Sequence, residues 1–87
     1  MKTVTTVGET PDGRWHMVTR DTDNPERFVS SVYLGHTFSW EGKVYETIFH
    51  DENGWKEQAN GDNAKGYDTQ IECESDHARA VLEHLGE

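Results

Sequence analysis

The chain has little with which to build a cysteine framework, a membrane span or a phosphate-binding surface. Cys73 is the only cysteine among 87 residues, which excludes an intramolecular disulfide and a zinc site of the usual cysteine kind, and points to a reducing compartment. Long hydrophobic runs are absent. Apolar residues make up 32% of the chain, no stretch approaches the roughly 20 residues of a membrane helix, and Met1-Lys2-Thr3-Val4-Thr5-Thr6 has no apolar signal-peptide core. These features predict a soluble, cytoplasmic protein with no membrane partner. Positive charge is scarce as well: 8 Lys and Arg stand against 17 Asp and Glu. Direct binding of nucleic acid is therefore disfavoured, because phosphate contacts need clustered cations. Glycine-rich phosphate loops are also missing, since Gly54, Gly61 and Gly66 lie too far apart and no Lys-Ser/Thr pair follows them.

The charge that is present is unevenly placed. Residues Val44 to Glu87 hold eleven acidic and three basic residues, a balance of −8, whereas Met1 to Lys43 hold six and five, a balance of −1. Self-repulsion costs stability, so folding does not require such polarity, and it is the best pointer to a partner. A chain of this length makes one domain, residues 1–87, that buries about 60–65% of its unfolded surface. Such a domain has one thin core and little room for an enclosed catalytic cleft. Nine aromatic residues, several in alternating runs, supply large buried areas and argue for a folded domain over disorder.

Turn signals divide the chain into hairpins. Thr10-Pro11-Asp12-Gly13-Arg14 predicts a turn between strands near Thr3–Glu9 and Arg14–Arg20, with Trp15, Met17 and Thr19 facing the core and His16, Val18 and Arg20 facing away. The segment Asn24 to Gly35 fits two readings. Asn24 as cap, Pro25 at the first turn and Phe28 with Val32 four apart suit a helix; alternation of Phe28, Ser30, Val32 and Leu34 with Val29, Ser31 and Tyr33 suits a strand, which is preferred. Thr37–Trp40, Glu41-Gly42 and Lys43–Phe49 read as a tight hairpin. Asp51-Glu52-Asn53-Gly54 is a further turn leading into Trp55–Gln58, and Asn60 to Gly66 is a polar loop. Tyr67 to Glu74 is expected to return as a strand with Ile71 and Cys73 inward and Glu72 and Glu74 outward. A helix capped by Ser75 or Asp76 then runs to Leu85, with Ala78, Val81, Leu82 and Leu85 as its apolar face and Gly86 as its stop. The expected class is α+β: an antiparallel sheet of four to five strands with a C-terminal helix packed on one face.

Val29-Ser30-Ser31-Val32-Tyr33-Leu34-Gly35, followed by His36 and Phe38, resembles the strand motif of a family of small proteins encoded by actinobacterial phages and prophages, which reads Val-Ser-Thr-Val-aromatic-Leu-Gly and then Asp-His. Val44-Tyr45-Glu46-Thr47-Ile48-Phe49 is similar to its Phe/Tyr-Glu-Thr-Met-Val-Phe strand, and Tyr67-Asp68-Thr69 with His77 and Ala80-Val81 to its closing Tyr-x-Thr segment and Gly-His helix. The likeness spans roughly Val29 to Leu85. Here the Asp of the Asp-His pair is missing, Asp76 replaces the Gly before His77, and Trp40-Glu41-Gly42-Lys43 replaces a Gly-Pro-rich loop. The resemblance implies a phage accessory protein and a strand over Val29–Leu34. It supplies no catalytic residues and no cofactor.

Chemistry-bearing residues form no recognisable catalytic pattern. The five histidines include no pair at helical metal spacing; a metal site from His36, His50 or His77 with Glu46 is the weaker reading against ordinary surface or edge histidines. Ser30, Ser31, Ser39 and Ser75 sit in no nucleophile elbow, and Cys73 reads as a small buried hydrophobe. Glu72 and Glu74, on one strand face, are spaced for glycoside hydrolysis but lack room for a sugar cleft. The chain is therefore expected not to be an enzyme. The carboxylates of Asp51, Glu52, Glu57, Asp68, Glu72, Glu74 and Asp76, with Trp40 and Trp55 as aromatic anchors at hairpin tips, are instead the expected partner-binding set. They would present a row of negative charge to a host protein with a basic nucleic-acid-binding groove, such as a nuclease or CRISPR effector, by mimicry of nucleic acid. A small-ligand or nucleotide-sequestering protein using Arg14, Arg20, Arg27 and Lys43 is the alternative, as is a phage domain with a structural or interaction role. An edge strand near Thr3–Val7 or Trp55–Gln58 makes a homodimer possible.

Overall fold

A computed structural model describes residues 2–35, 44–60 and 66–86. Five strands and one helix follow in order: β1 Thr3–Glu9, β2 Trp15–Asp21, β3 Phe28–Tyr33, β4 Tyr45–His50, β5 Lys56–Gln58 and α1 Gln70–Leu85. The strands form one antiparallel meander in sequence order, and α1 packs on β3 and β4. This is the α+β architecture that the turn spacing predicts.

The turns work through named groups. At the first, Gly13 adopts φ +83°, a region that side chains disfavour. Gly13 N donates to Thr10 O at 2.9 Å, and the Thr10 hydroxyl accepts from Arg14 N at 3.0 Å. At the second, Arg27 N donates to Asn24 O at 2.9 Å across Pro25, so the Asn-Pro pair starts a turn rather than a helix. The strand reading of the next segment is the one observed: Phe28 to Tyr33 pairs with β2 and β4 on its two sides. At the third, Asp51 Oδ1 accepts from Asn53 N and Trp55 N, both at 2.8 Å, and turns β4 into β5. Of the expected Lys43–Phe49 strand, Tyr45 to Phe49 lies in β4, which pairs with β3 and β5, and Lys43 is outside the described residues. The Thr37–Trp40 half of the expected hairpin lies outside the described residues as well.

The end of the chain departs from the sequence reading. Tyr67 makes a single bridge to Tyr45, and the helix starts at Gln70, six residues earlier than a Ser75 or Asp76 cap would place it. The cause is a capping box: Thr69 Oγ1 accepts from Glu72 N at 3.2 Å, and Glu72 Oε1 accepts from the Thr69 hydroxyl at 3.0 Å. Alternation of Ile71 and Cys73 imitates a strand over four residues, but Cys73, His77, Ala80, Val81 and Leu85 continue at helical spacing and form the buried face. The apolar face therefore rotates. Leu82 is 62% and Ile71 75% exposed, and Ala78 is exposed beside them. Gly86, at φ +79°, closes the helix by donating to Leu82 O.

The core lies between α1 and the middle of the sheet. Val29, Phe49, Ala59, Ala80, Val81 and Leu85 form its apolar cluster. Tyr67 is also fully buried.

Candidate functional site

Alternation along the strands turns Thr19, Ser31 and Thr47 toward α1, and all three are buried. Hydroxyls in such a position need partners, and His77 provides them. Its Nε2 lies 2.8 Å from Thr19 Oγ1 and its Nδ1 2.7 Å from Ser31 Oγ. Ser31 Oγ is 2.7 Å from Thr47 Oγ1, which lies 3.7 Å from Cys73 Sγ, and Thr5 Oγ1 extends the chain at 2.7 Å from Thr19 Oγ1. Six side chains from β1, β2, β3, β4 and α1 thus share one polar seam. Hydroxyls donate or accept as needed, so a neutral imidazole satisfies the seam in either tautomer. Burial pushes the His77 pKa down to about 4, because a charged ring there would lose its hydration.

The seam is laid out like a catalytic relay, but its Ser31, Thr47 and Cys73 end is closed to substrate. Ser31, Thr47 and Cys73 have no exposed surface. Burial pushes the Cys73 thiol above its ordinary value; hydrogen bonds from the Thr47 and Ser31 hydroxyls oppose this, and the charges of Asp76 and Glu74 add to it more weakly. A buried, protonated thiol is a poor nucleophile. Cys73 therefore behaves as the small buried residue the sequence suggests, whereas the reading of His77 as a surface or edge histidine is overturned.

The accessible feature lies beside the seam. Because α1 sits over β3 and β4, the same side of β1 and β2 is left open and forms a groove of about 450 Å³. Thr3, Thr5, Met17 and Thr19 make its floor; Glu74, His77, Ala78, Val81 and Leu82 make its wall. Leu82 gives its helix wall an exposed apolar edge, and Val7, 60% exposed, stands on the same sheet face opposite Met17 of the floor. Glu74 brings a carboxylate into this largely apolar surface.

The acidic residues expected to act together are dispersed. On a helix, Glu72 and Asp76, four apart, share one side while Glu74 points away from both, so the three form no row. Glu72 closes the capping box, and Glu74 lines the groove. Asp76 is held by Arg79 Nε at 2.6 Å and by the Tyr67 hydroxyl. Burial opposes ionisation of Asp76, yet the bonds from Arg79 and Tyr67 hold its carboxyl below the usual range. Arg79 also bonds Glu83 and donates through Nη2 to Ala59 O at 2.5 Å. Asp51 is occupied by its turn, Glu52 faces Arg27 at 3.5 Å, and Glu57 lies 3.5 Å from His84 Nδ1. Asp68 is exposed near the start of α1. Trp55 is exposed at the β4–β5 turn, with Nε1 3.4 Å from Glu57 Oε2; Trp40 lies outside the described residues.

The alternative arginine patch is not assembled either. Arg14 pairs with Asp12 at the β1–β2 turn, at the opposite end of β2 from Arg20. Arg20 stacks over Phe28 and donates to Pro25 O, while Arg27 donates to His84 O and lies over Phe49. Lys43 is outside the described residues. Nor do histidines gather for a metal: among the described residues no three His, Cys, Asp or Glu side chains share a site. No helix among them is long and apolar enough to cross a membrane.

The groove could have been found from sequence only after the helix was placed. Thr69-x-x-Glu72 was the signal available for that. Neither a protein-family model, nor a curated protein, nor a solved structure matches the chain.

Proposed function

We propose that the protein is a small acidic binding protein, not an enzyme, whose working surface is the groove between α1 and β1–β2. The observation that carries this reading is the groove itself: an open surface of about 450 Å³ with an exposed apolar edge at Leu82 and one carboxylate, Glu74. Ser31, Thr47 and Cys73 are buried away from it, and the Thr19 hydroxyl and His77 at its inner end are themselves buried. An apolar surface carrying a negative group, on a chain of net charge −9, suits a partner protein with a basic face. A host nucleic-acid-handling or defence protein is such a partner. This is also the kind of target open to a phage accessory protein, which the sequence resemblance implies.

Inhibition by occupying a basic site remains part of this proposal. Extended mimicry of a nucleic-acid backbone has less support than the sequence suggested, because most of the nominated carboxylates are tied to local partners. The test is affinity capture from bacterial lysate at low and high salt, with the wild-type chain and with Glu72→Lys plus Glu74→Lys. Capture of a basic protein that weakens with salt and with the double substitution supports the reading. Capture that ignores both overturns it.

A further inference from the structure

The hydrogen-bond register of β1 has a consequence for its outer side. Thr22 N donates to Lys2 O at 3.0 Å and Thr10 N to Arg14 O at 2.7 Å. Both are bonds between directly opposed residues in the β1–β2 register, Thr3 opposite Asp21 and Glu9 opposite Trp15. In an antiparallel pair such bonded positions recur every second residue. Val4, Thr6 and Gly8 therefore turn their backbone groups toward β2, and Thr5 and Val7 turn theirs away. Among the described residues no strand lies beyond β1. The two sheet edges differ: β5 is three residues long and begins with Lys56, whereas β1 is seven long with neither proline nor lysine inside it. A long edge whose one charged residue, Glu9, stands at its end is a template for another strand.

The side chains of Thr5 and Val7 stand on the α1 side of the sheet, as their register partners Thr19 and Met17 do. The free backbone edge and the groove are therefore adjacent parts of one surface. We propose that β1 is a strand-addition site: an extended segment of a partner protein, alternating apolar and basic residues, pairs with the outward backbone groups of Thr5 and Val7. Its apolar side chains pack against Val7 and Leu82, and a Lys or Arg reaches across Thr5 to Glu74. The inference rests on the reading of the chain as an acidic binding protein and names where and how the partner binds. Charge selects this occupant over a second copy, which would bring another −9 and oppose Glu74 with no described cation of α1 on that wall.

The test uses a labelled peptide of alternating Lys and Val, its Glu-and-Val counterpart, and the Lys-and-Val peptide with alternate backbone nitrogens methylated. Binding is read by fluorescence anisotropy and by amide shifts of the protein, with Val7→Pro and Glu74→Lys as variants. Val7→Pro removes an outward N–H that β2 does not use, so the sheet keeps its ladder, and circular dichroism confirms the fold; Glu74→Lys changes only a groove side chain. The proposal predicts salt-dependent binding of the Lys-and-Val peptide with shifts at Thr5, Val7 and Leu82. Binding weakens at least about tenfold on Val7→Pro or on methylation, and Glu74→Lys reverses the preference between the two charge types. Equal binding by Val7→Pro, or shifts elsewhere, would overturn it. A wild-type dimer in sedimentation that Val7→Pro converts to monomer would overturn it in favour of a second copy. If Val7→Pro still captures the basic partner of the wild type, the β1 site fails while the acidic binding function stands; if the wild type captures no such partner, both fail.

Discussion

His77 Nε2 sits 2.8 Å from Thr19 Oγ1, joining α1 to the second strand across 58 positions of sequence. The same ring reaches Ser31 on β3 through Nδ1, so one neutral imidazole ties α1 to two strands beneath it. This bond also forms the inner end of the groove, where Thr19 and His77 meet. Stability and the shape of the working surface thus depend on one group that must stay unprotonated.

Stability should accordingly depend on pH between about 6.5 and 4. The folded His77 has its pKa lowered to about 4 from the ordinary 6.5, so the unfolded state takes up the proton first. Stability is full above pH 6.5 and declines as pH falls toward the folded value. The difference in pKa corresponds to a loss of about 3 kcal/mol by pH 4. His16 and His50 are shifted the same way by burial, whereas burial raises the Glu46 carboxyl and acts oppositely. Urea unfolding of wild type and His77→Gln across this range separates the contribution: the difference between the two curves should narrow as pH falls. A constant difference would contradict it.

Cys73 should be inert in the folded protein. With no exposed surface and a raised pKa, it reacts only when the helix opens. Labelling by a chromogenic disulfide at pH 8 should proceed at the opening rate and accelerate when urea is added below the unfolding midpoint. Immediate stoichiometric labelling would show that the thiol is reachable.

The capping box gives a third expectation. Thr69→Ala removes the acceptor for Glu72 N and should lower stability by about 1 kcal/mol. Faster amide exchange at Glu72 and Cys73, with β1 unchanged, is the accompanying signature. Ser75→Ala should have no comparable effect, because Ser75 lies within the helix and is exposed.

Leu82→Lys separates function from folding. Leu82 is exposed on the groove wall, so the change should alter stability by less than about 0.5 kcal/mol while weakening partner binding. Leu85→Ala, in the core, should instead cost about 2–5 kcal/mol. Equal effects of both on folding would place Leu82 in the core.

Most of the sheet was legible because its turns are local. Pro11 to Gly13, Asn24-Pro25 and Asp51 to Gly54 each carry their geometry in adjacent residues, and the strands between them followed. The helix start was obscured because Ile71 and Cys73 alternate with Glu72 and Glu74, and a short alternation resembles both periodicities. With the helix start placed too late, Glu72 and Glu74 fall on a strand face that does not exist, and Leu82 falls in the core. The buried role of His77 depends on Thr19 and Ser31, distant in sequence, and the groove depends on which strands α1 leaves uncovered. Neither relation is carried by a local pattern.

Amide exchange at Thr5 and Val7, with and without the captured partner, tests the central claim most directly. In the free protein both amides should exchange quickly while those of Thr6 and Gly8, which face β2, are protected. On partner binding the account predicts new protection at Thr5 and Val7 together with the groove wall at Ala78 and Leu82. Protection confined to the Asp51–Glu57 turn, or no change along β1, would contradict it.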